Sequence, residues 1–285
     1  MNSLITISVE QGLIFAVLAI GVFITYKILD FPDMSVEGTF PLGAFIFAKF
    51  VTSGINPILS TILAFVFGSL TGAITYFLHI KMRIASLLAG ILTMTILYSV
   101  NLRINGKANI PLYNNGSVFD YGNNILVLIV IVLIIKIFMD LFLKTEIGYL
   151  LIATGDNETL VKSLGVSCDK FKLLGLILSN GIVSVSGALM AQSQGFSDIN
   201  MGTSIIVSAL ASIIIGDTIL KKSNRLKETT RAILGAISYK LIGGLAIDLG
   251  FAPTDLKAIS AIIVIIFIGY NNFSFLNLKN IKRGN

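Results

Sequence analysis

Long apolar stretches alternate along this chain with short polar interruptions, and their lengths set the architecture. A helix that crosses a bilayer needs about 20 mostly apolar residues. Residues 8–27, 56–80, 84–103, 124–143, 172–193, 231–249 and 255–271 each supply such a run. Two further stretches, 38–53 and 203–219, are shorter and follow turns that contain Gly and Asp. Each is either a full span or a half-helix that dips into the membrane and out again. The pattern predicts an all-α protein, a polytopic transmembrane helical bundle with eight to ten membrane segments, two of them broken or short. No polar run holds a soluble domain, so residues 1–285 read as a single transmembrane domain with one long interruption at 144–172.

Composition supports lipid as the solvent. Hydrophobic residues make up 55% of the chain and charged ones 13%, against about 25% charged in an ordinary soluble chain. Twenty-six glycines suit close packing of helix backbones. The net charge of +6 does not point to nucleic acid, because the lysines and arginines gather in short loops, as cytoplasmic connections of membrane proteins do. A single cysteine, Cys168, and a single histidine, His79, exclude an intrachain disulfide and a cysteine or histidine metal centre. The start of the chain lacks a basic region and a small-residue cleavage site, so Leu13 to Tyr26 reads as a retained helix.

Charge also orients the bundle. Lys144, Lys162, Lys170 and Lys172 lie in one interruption, Lys221, Lys222, Arg225, Lys227 and Arg231 in a second, and Lys279, Lys282 and Arg283 in the tail. If 203–219 crosses, even numbers of spans separate these sites and all three are cytoplasmic. The loop 104–123, with one lysine and several Asn and Gly, is then outside. The side of the N-terminus depends on whether 38–53 crosses.

Within the long interruption, Asp156 or Asn157 is placed to cap a helix and Glu158 falls in its first turn. Leu160, Val161 and Leu164 follow at helical spacing, and Gly165 supplies a stop. A helix this short is marginal alone in water. Its apolar face needs the lipid surface, its own bundle or a partner.

Here the sequence resembles a known family. Gly155-Asp156-Asn157, followed by a helix that ends in Gly165-Val166, is similar to the coupling segment of ribose-type and branched-chain amino-acid-type ABC importer permeases. Thr159, Leu160 and Val161 stand where that family often has Glu-Ala-Ala. The stretches Leu88 to Arg103 and Asn180 to Gln192 resemble a bacterial subfamily, some of whose members are linked to aromatic amino-acid uptake. The similarity runs from about Asp33 to Ile268. It implies a permease subunit in the bacterial plasma membrane, a homodimeric or pseudo-dimeric pore, cytoplasmic ATPase subunits and an extracytoplasmic substrate-binding protein. In that setting Asp156, Asn157, Glu158, Leu160, Val161, Leu164 and Gly165 couple the permease to the ATPase. The chain itself has no Gly-x-x-x-x-Gly-Lys-Ser/Thr phosphate loop; Gly106-Lys107 lacks both the upstream Gly and the following hydroxyl. ATP is therefore expected on a separate subunit, and no cofactor or metal here.

The polar turns before the two short apolar stretches, Asp33 to Thr39 and Asp198 to Thr203, are alike after a one-residue gap. Matching interrupted segments in two halves point to a solute site near the bilayer midplane, and the first also matches a motif near the start of the permeases. Asp33, Glu37, Asn180 and Asn200, together with Lys240, are the candidates for the translocation pathway. An ionisable group inside a span costs roughly 2.5–3.5 kcal/mol on insertion scales. Lys136 and Asp140, four apart on one face, neutralise each other. Lys240 lies near the middle of 231–249, too deep to snorkel, and is expected to face the bundle, a dimer interface or a wet cavity. Asn180, Ser184, Gly187 and Ala191 form a small polar stripe that packs helices or lines a pathway. A secondary transporter or channel working alone is the alternative; a membrane-embedded enzyme lacks a catalytic constellation.

Overall fold

The apolar stretches fold as helices in a computed structural model that describes residues 2–220, 226–252, 255, 258–259, 261–267 and 269. Helix α1 (Asn2–Phe23) runs on through a π turn at Ile24–Ile28. Then come α2 (Val36–Thr52), α3 (Pro57–Tyr76, with a π turn at Phe77–Lys81) and α4 (Ser86–Asn105). Strand β1 (Asn109–Pro111) leads to α5 (Asn124–Phe142), α6 (Glu146–Asp156), α7 (Glu158–Ser163) and α8 (Cys168–Gln194). Strand β2 (Phe196–Asp198), α9 (Ile205–Leu220) and α10 (Glu228–Asp248) complete the order. The boundaries follow local chemistry. Asn56 caps α3 ahead of Pro57 by accepting from Ile58 N at 2.8 Å, and Gly106 and Gly195 end α4 and α8 at positive φ.

Seven helices among the described residues are long and apolar enough to cross a membrane: Leu4–Ile28, Pro57–Lys81, Ser86–Asn105, Asn124–Phe142, Cys168–Gln194, Ile199–Leu220 and Glu228–Asp248. The expected count of eight to ten is not reached among them. Helix α2 has 17 residues, because it starts inside the bundle. The predicted span 255–271 falls largely outside the described residues, as do Lys221, Lys222, Arg225 and the basic tail.

Helices α1 and α8 form the centre. Leu13 to Ile20 of α1 are buried on every side, and α8 packs against α1, α2 and α3. Small residues permit this: a Cβ at Gly43 would collide with the Ser184 carbonyl, and one at Gly187 with the Phe40 carbonyl. Ser184 and Gly187 of the polar stripe on α8 therefore pack helices. By contrast, α3, α4 and α5 turn rows of Ile, Leu and Val outward, among them Ile62, Val66, Leu92, Ile96, Ile134 and Ile137, the surface expected against lipid.

Helix α8, at about 1.5 Å per residue, holds two ends of the molecule about 40 Å apart. Its start contacts α6 and α7, and its end leads into the antiparallel β1–β2 pair. The α6–α7 end carries the lysines that the positive-inside rule expects on the cytoplasmic side. Lys27, at the end of α1, pairs with Asp217 and Glu228, and Gly155 of α6 abuts the Ile28 carbonyl. The end of α1 therefore lies on the same side as α6 and α7, and its beginning on the opposite side.

Candidate functional site

After α1 the chain turns back into the bundle and places Asp33 beside the middle of α8. Asp33 Oδ1 accepts from Ser35 N at 2.9 Å and from the Ser35 hydroxyl. Asp33 Oδ2 accepts from Asn180 Nδ2 at 2.9 Å. Asn180 Oδ1 in turn accepts from Thr39 Oγ1 at 2.7 Å, and Thr39 lies 2.8 Å from Thr71 Oγ1 on α3. Asp33, Ser35, Thr39, Thr71 and Asn180 are all buried. The buried carboxylate persists because its oxygens are hydrogen-bonded. Asp33 and Asn180, predicted separately, meet at one point.

The second predicted turn arrives from the other direction. Asp198 Oδ1 accepts from Asn200 N at 2.8 Å, the same two-residue turn that Asp33 makes with Ser35. A 3-10 turn, Ile199–Gly202, carries Gly202 onto the Glu37 carbonyl, where a Cβ would collide. Pro41 explains the fit: lacking an N–H, it cannot bond the carbonyl four residues back, which is that of Glu37. Ser204 then adopts φ +62°, and α9 runs towards the α6–α7 end while α2 runs towards the β1–β2 end. The two interrupted segments thus touch, head to head. Half-buried Glu37 and exposed Asn200 line one cavity of about 160 Å³, closed on its third side by α4.

At the lysine-rich end, Asn157 leaves the helical region (φ −156°, ψ 91°), closing α6 and opening α7. Its side chain accepts from Leu160 N at 3.0 Å, and Gly165 (φ +76°) supplies the stop. The helix predicted at 157–165 is thus observed, one turn shorter. Its three aliphatic residues do not share a face. Val161 is 0% exposed and packed against the protein, whereas Leu160 and Leu164 are 53% and 66% exposed. Only two of the three point outward. Glu158 pins the helix to α8 through Lys172 at 3.0 Å and pairs with Lys162 at 3.0 Å. Hydrogen bonds from Lys162 and then Lys172 hold its carboxyl below the usual range. Asp156 lines two cavities, of about 520 and 580 Å³, that flank Lys27 and Ile28, so the turn and the end of α1 are one assembly.

The family described as "Branched-chain amino acid transport system / permease component" matches residues 4–269. The chain belongs to that family. It is a membrane-spanning permease subunit of the ABC importer class, in the bacterial cell membrane. Membership implies ATPase and substrate-binding partners. The permease is 47% identical, over 98% of this chain and 94% of the other, to the tyrosine transport system permease protein of Clostridioides difficile (strain R20291). It is 36% identical, over 99% of each, to an uncharacterised protein of Rickettsia prowazekii (strain Madrid E). A chain of the solved structure of PsaBC from Streptococcus pneumoniae in complex with Fab shares the fold, with a TM-score of 0.51, 16% identity and coverage of 93% of this chain and 89% of that one.

Lys240 of the permease lies apart from the other four pathway candidates. Its ammonium is 3.6 Å from the centroid of the Phe15 ring, in a cavity of about 120 Å³ between α1 and α10 that also takes Ser8 and Gln11. It faces the bundle, as its depth requires. A desolvated cation over a ring is worth about 2 kcal/mol, so Phe15→Leu is expected to lower the melting temperature of the purified permease. The loss should shrink when Lys240→Met is also present. An undiminished loss in the double variant would mean that the ring acts by packing alone.

Sequence reading missed several residues here. Helix α6 was not separated from the loop. Lys27, with Asp217, Glu228 and Arg231, joins α1 to α9 and α10 across distances in sequence that no periodicity reveals. Asp140 pairs with Lys136 at 2.7 Å as expected, and also takes Lys227 at 2.9 Å and Thr229 at 2.6 Å. Thr71 and Thr75 had a usable signal, since they lie four apart in an apolar stretch, whereas Ser35 and Thr39 sit in the polar turn.

Proposed function

We propose that this permease forms, with a second copy of itself, the pathway by which an aromatic amino acid of the tyrosine class enters the cell, driven by cytoplasmic ATPase subunits and fed by an extracytoplasmic binding protein. The observation that carries the substrate reading is the 47% identity to a tyrosine transport permease along nearly all of both chains. In this reading α2 and the stretch 255–271 join the seven long helices, giving the eight to ten membrane segments that the sequence predicts. Asp33, Glu37, Asn180 and Asn200 border the route. The segment from Asp156 to Gly165 receives the ATPase, offering Leu160 and Leu164 to a groove, the contact expected of a short amphipathic helix. ATP is bound by the partner, consistent with the missing phosphate loop.

Reconstitution tests this. Proteoliposomes that contain the permease, its ATPase and its binding protein should accumulate L-tyrosine only with internal or external ATP available to the ATPase. The purified permease alone should turn over no ATP. Uptake that continues without the ATPase, driven by an ion gradient, would identify a stand-alone transporter instead.

A further inference from the structure

We propose that the cavity between the first turn of α2, the outer part of α4 and the turn at 199–203 is a subsite for the charged head of a free α-amino acid, with acceptors on one wall and donors on the other. The proposal rests on the amino-acid reading above and adds the residues that would enforce it.

The acceptor wall combines Glu37 with Asn101. Asn101 is fully buried, and its Nδ2 donates to the Gly38 carbonyl at 3.3 Å. That bond fixes the orientation of the amide, because a flipped amide would set oxygen against oxygen. Its Oδ1 is therefore the atom left over, enclosed and without a hydrogen-bond partner. A buried acceptor with no donor is costly to keep. A donor that enters beside it and draws it outward relieves that cost. An ammonium does this and also meets the Glu37 carboxylate.

The opposite wall is the turn that carries Asn200 and Thr203, both exposed. Asn200 donates its backbone N–H to Asp198, and the residue lines the cavity. An amide and a hydroxyl are donors suited to a carboxylate. Tyr98, half exposed, and Met94 give the cavity an apolar rim on α4 where a side chain can lie. The Gly202 contact with the Glu37 carbonyl keeps the two walls in register. A sugar would use neither the carboxylate nor the separation of acceptors from donors as well as a zwitterion does.

Cysteine protection in the full-length permease decides the matter. In a Cys168→Ser background, Met94→Cys places a thiol on the apolar rim without touching the polar walls. A small water-soluble methanethiosulfonate should label it, and L-tyrosine should slow the labelling. Tyramine, which lacks the carboxylate, and 3-(4-hydroxyphenyl)propionate, which lacks the ammonium, should not. Glu37→Gln, and separately Thr203→Val, should weaken protection by L-tyrosine about tenfold, the loss of one charge-assisted hydrogen bond. Equal protection by all three compounds, protection by none, or a thiol at position 94 that never reacts would each overturn the subsite. Uptake by the reconstituted importer separates the two readings. L-tyrosine uptake without protection removes the subsite and leaves the function standing, whereas an importer that moves no amino acid removes both.

Discussion

Charges placed together at Leu160 and Leu164 should abolish transport while the ATPase keeps a basal turnover that ignores substrate. Both side chains project from α7 into open space, and each is worth roughly 1.5–3 kcal/mol when buried. If an ATPase groove receives them, exchanging both for aspartate removes about 3–6 kcal/mol and adds the cost of bringing charge into an apolar groove. Subunit affinity then falls at least a hundredfold, since each 1.4 kcal/mol is about tenfold. Two controls make the result specific. Lys162→Ala, on the solvated side, should change uptake little. Val161→Asp should lower the yield of folded permease, because Val161 is buried against its own protein and a charge there has no partner. Normal transport by the Leu160→Asp, Leu164→Asp variant would make α7 a lipid-surface helix and end its role in coupling.

That contrast shows where sequence reading stopped. Spacing alone placed Leu160, Val161 and Leu164 on one face, and only the folded packing, with Val161 buried and the two leucines exposed, reveals that the face is split between protein and solvent. The long spans were legible because a run of 20 apolar residues has few other homes. Helix α2 was legible as short but not as inward-starting, since that depends on how far residues 29–35 climb back into the bundle. The meeting of Asp33 with Asn180, and the placing of Glu37 and Asn200 on one cavity, follow from the packing of α2 against α8 and the turn at 199–202. That packing depends on glycines whose partners lie more than a hundred residues away, such as Gly43 with Ser184 and Gly202 with Glu37. Nothing in the local pattern names those partners. The likeness of the two Asp-led turns did carry real information, because each folds into the same side-chain-to-backbone bond and the two end in contact.

The second large effect is expected from Asn180→Leu. The Asp33 carboxylate holds three donors: Ser35 N, the Ser35 hydroxyl and Asn180 Nδ2. Of these, Asn180 alone comes from another helix. Each hydroxyl has a single proton, so Ser35 cannot serve Asp33 and Asn180 at once, and the charged acceptor has the stronger claim. The Thr39 proton then goes to Asn180 Oδ1. Leucine at this position strips Asp33 of its interhelical donor, while Thr39 falls back on the Ser35 carbonyl 3.0 Å away. A hydrogen bond to a charged group contributes about 1.5–3 kcal/mol, with a further cost for each buried group left unpaired. The variant should therefore melt several degrees lower and transport poorly, the α2–α8 contact having lost its polar tie. Asp33→Asn should be milder on its own. Combined with Asn180→Leu, it should recover part of the loss, because no buried charge remains to be satisfied. Strict additivity of the two changes in a thermal-denaturation cycle would show that Asp33 and Asn180 are independent. A coupling of 1 kcal/mol or more, at the scale of contacting pairs of about 0.5–3 kcal/mol, would establish them as one unit at the heart of the permease.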